Sequence, residues 1–134
     1  MSRNAKFSDE AANTATDAVC ALLNNGKLRI YDGAQPATVD TPVVAHHLLS
    51  ELTFGNPAFA AASGGVAAAT AIAPDSDAKA THAATWFRCV TSGGLAVFDG
   101  SVGVAGCDLN LDTVSIVQHA IVSITGFTFT ARKA

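Results

Sequence analysis

The amino-acid sequence predicts a mostly β fold: a two-layer β-sandwich of jelly-roll or Greek-key type with one N-terminal helix. Three observations carry this. The hydrophobic period changes from 3.6 to 2 after Gly26. Short alternating segments then recur with Gly, Pro, Asn and Asp between them, the pattern of a sandwich. Strands and helices do not alternate, which argues against a doubly wound parallel sheet.

The helix covers residues 8–25. Ser8 is a good N-cap, and Asp9 and Glu10 complement the positive end of the helix dipole. Ala11, Ala12, Ala15, Ala18, Val19, Leu22 and Leu23 follow the helical period, with Thr14, Thr16 and Asp17 on the other face. Asn24-Asn25-Gly26 is the stop, with Gly26 free to take the left-handed cap.

Lys27-Leu28-Arg29-Ile30-Tyr31 is the first strand, ended by the turn signal Asp32-Gly33. Residues 34–42 are a Pro-containing loop. In the next strand Leu48, Ser50, Leu52 and Phe54 share one face and Leu49, Glu51 and Thr53 the other, and Gly55-Asn56-Pro57 ends it. Alanine favours helix over 58–73, but Gly64-Gly65 splits the run and Val66, Ala68, Thr70 and Ile72 alternate with alanines. Two weak strands around a Gly-Gly turn are expected there.

The strongest β signal follows. Thr85, Phe87 and Cys89 oppose Trp86, Arg88 and Val90. Ser92-Gly93-Gly94 turns the chain, and Leu95 to Phe98 returns to Asp99-Gly100, a hairpin. Cys107, Leu109 and Leu111 alternate with Asp108, Asn110 and Asp112. The stretch 114–131 is β-branched, and its apolar phase slips between Val122/Ile124 and Phe127/Phe129. A bulge at Gly126 would return all four to one face. The domain reading is therefore an N-terminal arm, 1–7, followed by a single β-sandwich domain, 8–134, that includes the helix.

Composition narrows the function. The chain has 134 residues, 49% hydrophobic and only 14% charged, where about 25% charged is usual. Much of the apolar content is alanine, so the expected surface is small, neutral and suited to packing against a neighbour. The net charge is −3 and the cations are scattered singly, which argues against a direct grip on nucleic acid. Met-Ser-Arg-Asn-Ala-Lys lacks an apolar stretch behind it, so no secretory signal is expected, and no apolar run reaches membrane-spanning length. Cys20, Cys89 and Cys107 have no close pairing and read as reduced thiols of a protein made in the cytosol, with Cys89 and Cys107, on apolar strand faces, as small buried hydrophobes.

No candidate site outweighs its structural reading, and the sequence assigns no catalytic, cofactor-binding or metal-binding residue and no cofactor. His46 and His47 would point to opposite faces of a strand, with His82 and His119 far off in sequence. Asp108-x-Asn110-x-Asp112 resembles the start of a calcium loop, but Thr113 stands where its glycine belongs and His119 where its glutamate belongs. Asp75-Ser76-Asp77 reads as a solvated turn. Gly100, Gly103 and Gly106 have the wrong spacing for a dinucleotide fingerprint, with no helix following, and read as relief for a tight bend or a bulge. Cys89 or Cys107 as a nucleophile would need His119 brought close by the fold. Glu10 and Glu51 are the only glutamates for paired-carboxylate chemistry. Trp86, Phe87 and Arg88 fit a buried strand better than a ligand platform.

Five segments nevertheless form a familiar series: Leu28-Arg29-Ile30-Tyr31-Asp32-Gly33-Ala34-Gln35-Pro36, Leu48-Leu49-Ser50-Glu51-Leu52, Ala84-Thr85-Trp86-Phe87-Arg88, Val97-Phe98-Asp99-Gly100-Ser101-Val102-Gly103 and Asp108-Leu109-Asn110-Leu111. With the Ser/Thr/Phe-rich end, the chain over roughly 8–130 resembles small virion proteins of tailed bacteriophages, most of all the capsid cement, or decoration, proteins of the type known from Bordetella-infecting phage. The resemblance implies a jelly-roll sandwich, made in the bacterial host cytoplasm. It implies self-association as a homodimer or trimer, and binding to the major capsid protein on the capsid exterior. It also implies no catalysis and no cofactor. The expected contact elements are the arm Met1 to Phe7, the amphipathic helix and the loop 34–47. The alternatives are a tail or head–tail virion component, or a carbohydrate-binding module. A single Trp and a single Tyr count against the module, and an enzyme would need a clustered polar site.

Overall fold

The alternation at 27–31 makes a strand because Leu28 and Ile30 bury completely on one side while Lys27 and Arg29 stay half-exposed on the other. That strand is the second of five in the main sheet of the computed structural model, which describes residues 8–43 and 46–130. The expected arm, 1–7, lies outside the described residues.

The elements in chain order are α1 (Asp9–Ala21), β1 (Lys27–Tyr31), β2 (Leu48–Thr53), β3 (Val66–Ala68), β4 (His82–Ala83), β5 (Trp86–Val90), β6 (Ala96–Gly103), β7 (Leu109–Asn110), β8 (Ser115–Ile116) and β9 (Thr128–Thr130). The fold is mostly β with one described helix. The main sheet has the order β2-β1-β5-β6-β7, and two ribbons, β3-β9 and β4-β8, stand apart from it. All pairings are antiparallel except β6 with β7. β4 and β5 are separated only by Ala84 and Thr85, so the chain changes pairing partner there, from β8 to β1 and β6.

One apolar cluster collects side chains from every layer. Leu28, Ile30, Leu52, Phe87, Cys89 and Leu109 come from the main sheet, Cys20 and Leu23 from the helical end, and Ile116, Val122 and Phe127 from the second half. Fully burying a Leu or Phe contributes about 1.5–3 kcal/mol, so this shared core holds the short ribbons that could not stand alone.

The helix is shorter than expected, Asp9–Ala21, with Ser8 Oγ accepting from the Ala11 N–H at 3.0 Å as the cap. It docks on its own domain. Ala12, Thr16 and Cys20 form the buried face, and Ala11, Ala18 and Leu22 are exposed. Thr16 was expected on the outer face. It is buried because its Oγ1 donates to the Gly65 carbonyl at 2.7 Å, a bond apolar periodicity does not register. Asn13 Oδ1 accepts from the Gly65 N–H and Asp17 Oδ1 from the Ala62 N–H, so polar helix residues hold the hairpin below.

That hairpin is the Ala-rich run. Ser63 and Val66 bond each other's backbone across Gly64 and Gly65, whose φ values of 61° and 79° suit the tight hairpin turn. The stop after α1 differs from expectation. Asn25, with φ of 59°, takes the left-handed position. Gly26 is needed for another reason: a Cβ there would lie 2.4 Å from the Val90 carbonyl oxygen.

In β2, Ser50 and Leu52 face the core opposite Ile30 and Leu28, as the pattern implied. Leu48 does not join them. An irregularity in the β1–β2 register pairs Tyr31 with Leu48, skips Leu49, and lets Leu49 bury in the core. β6 runs through Gly100 to Gly103 instead of ending at Asp99-Gly100. A Cβ on Gly100 would meet the Phe87 ring at 2.5 Å, so this glycine admits an aromatic ring and does not mark a turn. The stretch 114–131 is not one long strand. Among its described residues only β8, a bridge from Val122 to Asp75, and β9 are extended pairings. Val122, Ile124, Phe127 and Phe129 still all pack into or against the core.

Candidate functional site

The main sheet's second face carries its ionic groups. In register across four strands lie Glu51, Arg29, Arg88 and Asp99. Arg29 Nε donates to Glu51 at 2.8 Å, and Arg88 binds Asp99 with two bonds of 2.7 and 2.9 Å. Period-2 alternation puts Arg29 and Arg88 on this face, and their opposite partners separate two like charges placed side by side. The Arg88 and Asp99 side chains are only 8% and 3% exposed. The Asp99 hydrogen bonds hold the Arg88 guanidinium pKa above its ordinary value against the pull of burial.

The loop after β1 closes over this row. Arg88 donates to the Thr41 carbonyl, and its guanidinium lies 5.4 Å from the Trp86 ring centre. Trp86 stacks on Tyr31 at 4.7 Å, takes the His46 ring edge-on and donates to the Asp32 carbonyl. Trp86, Phe87 and Arg88 are all buried, as a structural strand requires. The loop 34–47 was expected as a contact element. Among its described residues, Thr41 and His46 cover Arg88 and Trp86, because an aromatic and a charge on the outer face of a sheet need cover and hydrogen-bond partners.

Where β1 ends and β4 turns into β5, three groups converge that are far apart in sequence. Asp32 follows β1, His47 precedes β2 and His82 opens β4. His47 Nδ1 lies 2.7 Å from Asp32 Oδ2, and His82 Nδ1 lies 3.7 Å from the same oxygen. The two imidazoles stack at 4.2 Å, 12° from parallel. Asp32 Oδ1 accepts from the His47 N–H at 2.6 Å, which fixes the carboxylate's orientation. Burial pushes the Asp32 pKa up, but the His47 backbone and ring bonds and the nearby charges of His47 and His82 hold it below the usual carboxylate value. Among the described residues this is the single group of three or more potential metal-ligating side chains with converging donor atoms. His46, as expected for a neighbour of His47, points elsewhere: its Nε2 lies 2.6 Å from the Ala34 carbonyl, and its Nδ1 is buried without a partner among the described residues.

The other sequence candidates do not converge on a ligand site. Asp75 is buried; its Oδ2 accepts from the Ser50 hydroxyl and the Glu51 N–H, and its Oδ1 from the Asp77 N–H. Burial raises its pKa, but these bonds and Lys79 outweigh that and hold it below the ordinary value. Asp75 is therefore a structural carboxylate and not a solvated turn residue. Asp77 pairs with His119 at 2.6 Å, so the His119 ring is engaged by a carboxylate. Asp108 accepts from Ser101 of β6 and Asn110 from the Cys107 N–H of its own turn, and the two are not part of a group of converging donor atoms. Cys89 is fully buried, with its thiol pKa pushed well up by burial and by Asp99, and Cys20 is pushed up to about 11 by burial and Asp17. Neither suits a nucleophile.

Clefts lie elsewhere. One of about 350 Å³ runs between β6 and β9, lined by Phe98, Cys107, Asp108 and Phe129 among others, and one of about 200 Å³ opens beside the exposed Val117 and Ile121. Among the described residues no helix is long and apolar enough to cross a membrane. No protein-family model matches the chain, and no curated protein or solved structure is detectably similar to it.

The Asp32–His47–His82 cluster escaped the sequence reading. Adjacency made His46 and His47 the natural pair to weigh, whereas the working partners are 15 and 35 residues away from His47. The only local signal was that Asp32 and His82 each sit at the boundary of an extended segment.

Proposed function

We propose that this chain is a virion structural protein of the cement type, without catalytic activity, which binds the outer surface of a phage capsid and bridges major capsid protein subunits. The observation that carries the reading is where the familiar segments fall. Each of the five stretches that resemble cement proteins overlaps one strand of the main sheet, β1, β2, β5, β6 and β7 in turn. The resemblance thus concerns a framework and not a reactive site. The finer fold reading belongs with it: the main sheet as one layer, and the β3–β9 and β4–β8 ribbons with α1 as the second, in a jelly-roll arrangement.

The surface suits the role. Charges are paired with one another in Arg29–Glu51, Arg88–Asp99 and Lys79–Asp75, the second of these buried. Leu22, Val66, Leu95, Val104, Val117 and Ile121 are large apolar side chains left open to solvent. With the helix docked on its own domain, these side chains are better contact candidates than its buried face. A cement protein acts by mass action, since binding only the assembled shell shifts the equilibrium toward that state.

The test is the copy number of this chain in purified particles relative to the major capsid protein, by quantitative mass spectrometry. A stoichiometric fraction of the shell protein is the expected result. A handful of copies would move the assignment to the tail or head–tail junction, and absence from particles would overturn the virion role.

A further inference from the structure

The Asp32, His47 and His82 side chains belong to three separate segments and have no shared role in the core, yet their donor atoms meet at one point on the surface. We infer that these three residues form a binding site for a divalent first-row transition metal such as zinc, which pins the β4–β8 ribbon to the end of the main sheet.

The donor set points to the metal class. Two imidazoles and one carboxylate suit zinc and its neighbours, whereas calcium and magnesium prefer oxygen alone. The spacing is close to what a metal needs. Zinc–ligand bonds of about 2.0–2.2 Å in a tetrahedron separate neighbouring donor atoms by about 3.3 Å. The two Nδ1–Oδ2 distances, 2.7 and 3.7 Å, fall on either side of that value.

The carboxylate is oriented in the manner of metal sites. Its Oδ1 is occupied by the His47 N–H at 2.6 Å, so Oδ2 is the atom turned toward both imidazoles. One adjustment is required. A metal lies near the plane of each imidazole it binds, and the rings now stack 12° from parallel. They must splay by rotation about the Cβ–Cγ bond. Side-chain exposures of 57% for His47 and 46% for His82 leave room for that without disturbing the core. The fourth position faces solvent, where water or a group from another molecule completes the shell.

The protein contains its own comparison. Asp77 and His119 form a pair of the same kind at 2.6 Å, with no second histidine converging on it. A mere affinity of exposed His–Asp pairs for zinc would load both places. A built site loads one.

The test uses full-length protein treated with chelator and then titrated calorimetrically with zinc chloride. One equivalent bound with a micromolar Kd is expected, weakened at least tenfold in His82→Ala and in His47→Gln and unchanged in His119→Ala. Cobalt(II) should give visible bands of a nitrogen- and oxygen-ligated ion without the near-ultraviolet band of cysteine thiolate. Circular dichroism establishes that each variant is folded; if His82→Ala is not, the His47→Gln titration and the cobalt spectrum of the unaltered protein decide. No binding up to millimolar zinc, equal binding in the folded His82 or His47 variant, loss of binding in His119→Ala, or a thiolate band would overturn the assignment.

Discussion

Gly26→Ala separates two accounts of one glycine. If Gly26 were the left-handed cap of the helix, alanine would meet only conformational strain, about 1–2 kcal/mol. The structure puts the left-handed φ on Asn25 and gives Gly26 a steric role. A Cβ there lies 2.4 Å from the Val90 carbonyl oxygen and 2.9 Å from that of Leu23. Ordinary contact begins at 3.4 Å, so the first gap must widen by 3.4 − 2.4 = 1.0 Å. Both neighbours are backbone. Val90 ends β5 opposite Lys27, and the Leu23 carbonyl accepts from the Gly26 N–H at 2.7 Å. Relief therefore separates β1 from β5 or breaks the turn, and the expected cost is at or above the top of the about 1–3 kcal/mol range for overpacking. At about 3 kcal/mol the urea midpoint falls by roughly 1.5 M for a slope near 2 kcal/mol/M, and the thermal midpoint by about 10 °C. Two controls complete the set. Gly94, at φ of 91° with nothing within 4 Å of its would-be Cβ, should lose about 1 kcal/mol as alanine. Asn25→Gly should be neutral within about 0.5 kcal/mol or slightly stabilising. Urea denaturation followed by circular dichroism measures all three. A Gly26→Ala loss below that of Gly94→Ala, with Asn25→Gly clearly destabilising, would refute the steric account.

Three further outcomes are expected. Asp75→Asn should lose about 1–3 kcal/mol at pH 7, because the amide keeps only one acceptor oxygen, so its NH2 must face either the Ser50 and Glu51 donors or the Asp77 N–H. The folded Asp75 pKa lies below the unfolded value, so its contribution is complete above about pH 4 and disappears as pH falls through the lower folded value. Urea midpoints measured from pH 7 to pH 2 should accordingly decline less steeply at the acid end in the variant. Arg88→Met leaves the Asp99 carboxylate buried and unpaired, a loss of about 3–5 kcal/mol, and adding Asp99→Leu should recover part of it by thermal unfolding; no recovery would mean that the arginine's contacts with Trp86 and Thr41 dominate. Iodoacetamide at pH 8 should label Cys107 first in the folded protein, since Cys107 is half-buried while Cys20 and Cys89 are buried with raised thiol pKa values. Peptide mass spectrometry reads the order, and early labelling of Cys89 would contradict its burial.

Local chemistry alone determined a good deal. Alternation in 27–31 and in 85–90, Ser8 ahead of Asp9 and Glu10, and the Gly pairs at 64–65 and 93–94 act within a few residues of themselves. Strand, helix start and hairpin turn follow from them because side-chain period and permitted φ are properties of the chain segment. The mostly β class and the helix are consequences. What the tertiary structure decided were the matters of distance. Which helix face is inner depended on a hydrogen bond from Thr16 to Gly65, 49 residues away. Leu49 reached the core through a register irregularity, and Gly26 and Gly100 were glycines because of what other strands bring against them. The meeting of Asp32, His47 and His82 is the same kind of fact. Each residue by itself is an ordinary polar group at the end of an extended segment. Only long-range pairing, driven by a buried apolar core that neither the carboxylate nor the imidazoles belong to, sets them within reach of one another.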